Sequence, residues 1–124
     1  MTRDGPAGLS RAQRADLDAH IRREIERVVS RVTALEARFD DIVAAAGQDV
    51  PDDEHDPEGA TIAYERAQVD ALLTRARQHA ADLGRARERL GETTCLLCGR
   101  RIAFDRLMAR PTTRHCVDCA ATGH

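Results

Sequence analysis

The sequence has no lysine and no tryptophan, and its aromatic residues are one Tyr and two Phe. With so few large side chains it cannot fill a thick core, so a deep globular interior is excluded. All nineteen cations are arginines, which a compositional bias of the genome explains more simply than function does. No apolar run approaches the roughly 20 residues needed to cross a bilayer, so a membrane partner is not expected. The start, Met-Thr-Arg-Asp-Gly-Pro, lacks the apolar stretch of a secretory leader, and a reducing, cytoplasmic location is expected. No Ser-His-Asp constellation or phosphate loop is visible. His20 and His79 have no spaced partner, so no enzyme activity is expected.

What the chain does have is concentrated in its last third. Its four cysteines occur as Cys95-Leu-Leu-Cys98 and Cys116-Val-Asp-Cys119, with residues 99–115 between the pairs. Each pair is a C-x-x-C knuckle that presents two thiolates from one tight turn, and Gly99 after the second cysteine helps the backbone reverse. Two knuckles complete a tetrahedral zinc shell and leave no position open for a substrate, so one structural zinc is expected on Cys95, Cys98, Cys116 and Cys119. The alternatives are two disulfides or four free thiols. His115, next to Cys116, offers another ligand, but a solvent-facing neighbour is the simpler reading. The insert between the knuckles has Ile102, Phe104, Leu107 and Met108 as its main apolar residues. They suit a turn and short helix sealing the metal site, ended by Pro111. A segment this small needs the metal to fold.

Charge is distributed unevenly although the formal net charge is only -2. Asp49, Asp52, Asp53, Glu54, Asp56 and Glu58 lie close together with no Arg among them, whereas Arg85, Arg87, Arg89, Arg100, Arg101, Arg106, Arg110 and Arg114 crowd the final stretch. The chain has an acidic middle and a basic end.

Residues 1–9 carry Gly5, Pro6 and Gly8 and read as a flexible N-terminus. Ser10 is a plausible N-cap. From there Leu17, Ile21, Ile25, Val28, Val32, Leu35, Phe39 and Ile42 recur in steps of mostly three and four, a narrow heptad stripe, and Gly47 is a natural stop. A loop is expected over 47–60, with Pro51, Pro57 and Gly59 among the acids. Thr61 would open a second helix striped by Ile62, Val69, Ala76, Leu83 and Leu90, with Leu72, Leu73, Ala80 and Ala86 alongside, ending at Gly91. Gly84 costs it about 1 kcal/mol relative to Ala. Two such helices should fold back as an antiparallel coiled coil. The alternative is half of a bundle completed by a second copy. The expected fold is mainly α: a long antiparallel coiled-coil hairpin over 10–92 with an acidic tip loop over 47–60, then a four-Cys zinc finger over 93–124.

Cys95-x-x-Cys98-Gly99, then Ile102, Arg106-Leu107-x-Ala109-Arg110-Pro111-Thr112 and Cys116-x-Asp118-Cys119 together resemble the finger of the DksA/TraR family of bacterial transcription regulators. The acidic loop followed by Ala60-Thr61 and a long helix is similar to that family as well. The resemblance covers roughly 10–120; it is specific in the finger and a matter of pattern in the helices. It implies a protein that binds RNA polymerase rather than DNA, its coiled coil entering the secondary channel so that the tip acids approach the active centre and modulate initiation. Hard carboxylate oxygens are the ligands that a catalytic Mg²⁺ accepts. The tip residues implied are Asp53, Asp56, Glu58 and Ala60. The family's paired aspartates are displaced here: counted back from Ala60, the near acid is Glu58 and the far position is His55, while Asp53 and Asp56 form a shifted pair. Members that respond to ppGpp use the Arg of Ala-Arg-Pro, here Arg110, for docking, together with a basic helix residue and a Lys after the last Cys. His79 and Ala120 stand at those positions, which argues against a ppGpp contact. The chain ends soon after Cys119, so the C-terminal helix of longer relatives is not expected.

A second reading is a DNA-binding zinc-finger protein that dimerises through its coiled coil. The basic end supports it. The acidic middle argues against a helix pair lying along a phosphate backbone.

Overall fold

The computed structural model describes residues 8–48 and 57–122. Among these residues the chain forms four helices, α1 (Arg11–Gln48), α2 (Pro57–Glu88), α3 (Phe104–Ala109) and α4 (Val117–Ala121). The only extended pairing among them is a single antiparallel bridge, Thr94 with Arg101. The two long helices pack as a hairpin, and the expected mainly α fold is the one found.

Ser10 starts α1 as the sequence suggests, through a reciprocal cap. The Gln13 backbone N–H donates to Ser10 Oγ at 3.0 Å, and the Ser10 N–H donates to Gln13 Oε1 at 3.0 Å. Two otherwise orphaned donors are thereby satisfied. Gly8 and Leu9, expected to be frayed, are half-buried. The Gly8 backbone approaches Arg101 so closely that an added Cβ would stand 3.1 Å from its guanidinium.

Three helix boundaries differ from expectation. Helix α1 does not stop at Gly47 but continues to Gln48, because a glycine penalty of about 1 kcal/mol is too small to halt an established helix. Helix α2 begins at Pro57, four residues before Thr61. Proline suits a first helical position, where no N–H is required. Glu58 then falls in the first turn, and Arg85 and Arg87 in the last, each complementing the helix dipole. At the other end α2 closes at Glu88. The Arg89 N–H is shared between the Arg85 and Ala86 carbonyls, both at 3.2 Å, and Glu92 N–H reaches Arg89 O at 2.8 Å. Gly91 therefore sits in the following turn rather than at the helix end.

The chain divides into two compact units, one made of 1–26 with 81–124 and the other of Arg27–Ala80. In the first, Leu17, Ile21, Leu83 and Ala86 are buried along with Cys95, Ile102 and Leu107. Asp18 on α1 accepts from Arg22 at 3.2 Å and from Arg87 on α2 at 2.7 Å. In the second, Val28 and Leu35 on α1 and Val69, Leu73 and Ala76 on α2 are buried, and Arg77 pairs with Glu36 at 2.7 Å. The buried positions in α2 step by four, three, seven and three residues, the signature of a two-helix seam. Each fully buried Leu, Ile or Val contributes about 1.5–3 kcal/mol. The exposed ion pairs fix alignment more than they stabilise. Ile25, Val32, Phe39, Ile42, Ile62, Leu72 and Leu90, also on the expected stripes, are half-buried.

Candidate metal centre

After α2 the chain makes a short two-stranded turn. Ile102 N–H donates to Thr93 O at 2.8 Å and Cys95 N–H to Arg100 O at 2.7 Å, flanking the Thr94–Arg101 bridge. Gly99 closes this turn at φ +76 with its N–H on Cys95 O at 2.9 Å. The left-handed angle is the reason for a glycine here, since a Cβ would meet nothing within 4 Å. The second knuckle caps a helix. Cys116 is the N-cap of α4, and its sulfur accepts from the Cys119 N–H at 3.5 Å. Leu96 N–H donates to Arg114 O at 2.9 Å and ties the two knuckles together.

The insert is anchored by arginines. Arg106, on α3, donates from Nε to His115 O at 2.8 Å and from Nη2 to Thr113 Oγ1 at 3.3 Å. Thr113 Oγ1 in turn donates to His115 O at 3.1 Å and accepts from the His115 N–H at 3.3 Å. Arg89 donates from Nη2 to Thr112 O at 3.1 Å. Leu107 of α3 and Ile102 before it are buried, as the sealing role of the insert requires. The helix ends at Ala109, with Arg110 as a non-helical C-cap ahead of Pro111.

The ligand atoms of Cys95, Cys98, Cys116 and Cys119 all lie within 4.8 Å of one another. A tetrahedron with Zn–S bonds of about 2.3 Å has edges of about 3.8 Å, and Cys98 Sγ and Cys116 Sγ are 3.7 Å apart. That separation is far too long for a disulfide, and all four cysteines are free thiols. His115 lies outside the cluster and contributes backbone atoms to the Arg106 network. The donor set fits one structural Zn²⁺, held by four thiolates with no open coordination position.

The sulfurs are electrostatically unequal. Burial would raise the Cys95 thiol, but the backbone N–H groups of Cys116, Cys98 and Leu97, with the Cys119 side chain, outweigh it and bring its pKa down to about 6. Cys119 is pushed up to about 12, first by its hydrogen bond with Cys116 and then by burial. Backbone amides aimed at a knuckle sulfur favour its charged form, which is the form a metal takes.

Residues 88–122 match the family model described as the prokaryotic dksA/traR C4-type zinc finger. Over these residues the finger is similar to that of the DksA/TraR family. Among solved structures, the chain is similar to transcription factor DksA2 from Pseudomonas aeruginosa, with a TM-score of 0.78 and 22% identity over 98% of this chain and 90% of that one. No curated protein matches the sequence. The likeness to DksA2 is one of fold. The likeness in the DksA/TraR finger is one of motif, carried by the four cysteines and the residues between them.

Glu58 and Ala60 are exposed in the first turns of α2, whereas Asp53 and Asp56 lie outside the described residues. Arg110 is exposed at the end of α3. Arg89 and Arg106 went unrecognised as anchors of the finger. Their partners are backbone carbonyls, which carry no side-chain signature in a sequence. Helix α4 is short enough to hide within its own knuckle.

Proposed function

We propose that this protein is a transcription regulator that binds RNA polymerase and places the acidic connection between α1 and α2 in the secondary channel to modulate initiation. The observation that carries this reading is the fusion of a DksA/TraR finger to a helical hairpin whose two long helices are joined through an acid-rich segment. The likeness in fold to a protein described as a transcription factor supports it. In this reading the zinc finger is a structural foot, and Arg110 at the exposed end of α3 docks on the polymerase. Asp53, Asp56 and Glu58 carry the charge that acts near catalytic Mg²⁺, with Ala60 behind them. The protein supplies no catalysis of its own and works in the cytoplasm.

Dimerisation through the coiled coil is disfavoured because Leu17, Ile21, Val28, Leu35, Val69, Leu73 and Leu83 are buried within one copy. The seam that a partner helix would need is already used. Among the described residues no helix is long and apolar enough to cross a membrane.

Co-purification with RNA polymerase, followed by crosslinking from a photoreactive group at Asp56, tests the proposal. Crosslinks to channel-lining segments near the active centre are expected. Crosslinks confined to the polymerase exterior, or a salt-dependent shift of duplex DNA without polymerase binding, would replace it with the DNA-binding reading.

A further inference from the structure

We propose that the residues just ahead of α1 form a strap seated at Gly8 on the arm of the first zinc knuckle, so that metal retention in the finger is governed from the N-terminal side of the chain. Gly8 and Leu9 are half-buried. Arg101 of the finger lies so close to Gly8 that a Cβ there would stand 3.1 Å from Nη1 and 3.8 Å from Cζ. Gly8 also holds φ +110, a positive angle that a side chain disfavours. The close approach and the backbone angle each call for glycine, and they coincide at one residue. A second approach runs the other way. Arg14 of α1 places Nη1 and Nη2 3.9 Å from where a Cβ of Gly91 would stand, and Gly91 belongs to the turn between α2 and the finger. Two arginines, one from each side, thus lie against glycine backbone. All four residues belong to one compact unit.

The strap meets the finger close to a metal ligand. Arg101 pairs with Thr94 in the antiparallel bridge, and Thr94 directly precedes Cys95. Arg100 O accepts from the Cys95 N–H at 2.7 Å, and the Ile102 N–H donates to Thr93 O at 2.8 Å. Ile102 is itself buried. Through these bonds, fixing Arg101 fixes the backbone at Cys95. The strap is equally well fixed at its other end. The reciprocal cap of Ser10 and Gln13, with the Arg14 N–H on Ser10 O at 2.8 Å, locks it to α1. Seating of the strap and holding of the metal are therefore linked, and such linkage works equally in both directions. Whatever draws Gly8 away from Arg101 loosens the arm under Cys95, and loss of the metal releases the start of α1. The strap uses neither the acidic segment nor Arg110, and it serves the finger whatever partner the hairpin meets.

The test uses the zinc-loaded full chain, with stopped-flow transfer of zinc to a chromophoric chelator and amide hydrogen exchange followed by NMR. Gly8→Ala and Arg101→Ala should each speed zinc release roughly fivefold or more, the lower range for two linked sites. The double variant should be no faster than the faster single one, because both changes remove the same contact. Arg100→Ala, whose side chain turns to Asp118 at 4.0 Å instead, should stay within about twofold. In the reverse direction, withdrawing zinc should raise exchange of the Ser10, Gln13 and Arg14 amides roughly fivefold or more, while Val28 and Leu35 keep theirs. Should Arg101→Ala fail to load zinc, Gly8→Ala decides, since it leaves every finger side chain in place. Zinc release from Gly8→Ala within about twofold of the parent, or single effects that multiply in the double variant, would overturn the proposal. So would an equal acceleration in Arg100→Ala, or amides at the start of α1 that zinc withdrawal leaves unchanged or raises no more than Val28.

Discussion

Gly99 adopts φ +76 in open space, so replacing it tests backbone conformation without a packing change. Gly99→Ala should destabilise the first knuckle by about 1–2 kcal/mol, the usual cost of a left-handed Cβ, and weaken zinc binding by roughly tenfold. Competition with a chromophoric chelator measures this; unchanged zinc affinity would show that the knuckle tolerates another turn. This residue, like the four cysteines, was legible in the sequence because a C-x-x-C-G turn is local chemistry. Arg106 was not. It bridges Thr113 and the His115 carbonyl across a loop, and nothing in its neighbours marks it as an anchor rather than a surface charge. Arg106→Ala should therefore loosen the approach to Cys116 and speed zinc release several-fold, whereas Arg100→Ala should not. Stopped-flow transfer of zinc to a chelator separates the two, and equal rates would reduce the Arg106 network to decoration.

At the level of elements, the apolar stripes were readable and the helix ends were not. Burial selects positions of fixed period, so Leu17, Ile21, Val69 and Leu83 declared themselves. A helix end depends on a balance of about 1 kcal/mol per residue, which Gly47 and Thr61 did not decide. Pro57 started α2 earlier because its ring suits a first turn. The same balance predicts that Gly84→Ala stabilises the protein. Gly84 lies inside α2, and a Cβ there meets nothing within 4 Å. A gain of about 0.5–1 kcal/mol is expected, visible as a rise of a few degrees in the thermal midpoint. Leu83→Ala, one residue away but 1% exposed, should instead cost about 2–5 kcal/mol. Both are read by thermal denaturation followed by circular dichroism, and similar effects from the two would contradict the placement of the seam.

For the molecule as a whole, the question is whether the acidic segment acts or merely connects. Asp53→Ala, Asp56→Ala and Glu58→Ala together remove half of the six acids between Asp49 and Glu58. Folding should survive, since the favourable position of Glu58 in the first turn of α2 accounts for about 0.3–1 kcal/mol and the buried seam is untouched. If the finger end docks and the acids work at the active centre, polymerase affinity should stay within about threefold, as expected for losing charges outside a docking core. The effect on promoter-complex lifetime should disappear. Affinity is measured by fluorescence anisotropy of the labelled protein and lifetime by competitor challenge of preformed complexes. A parallel loss of both would make the acids an anchor, because a segment that only acts cannot be needed for binding. Full retention of both would make them a solvated connection between α1 and α2, and the regulatory contact would then have to lie elsewhere on the hairpin or the finger.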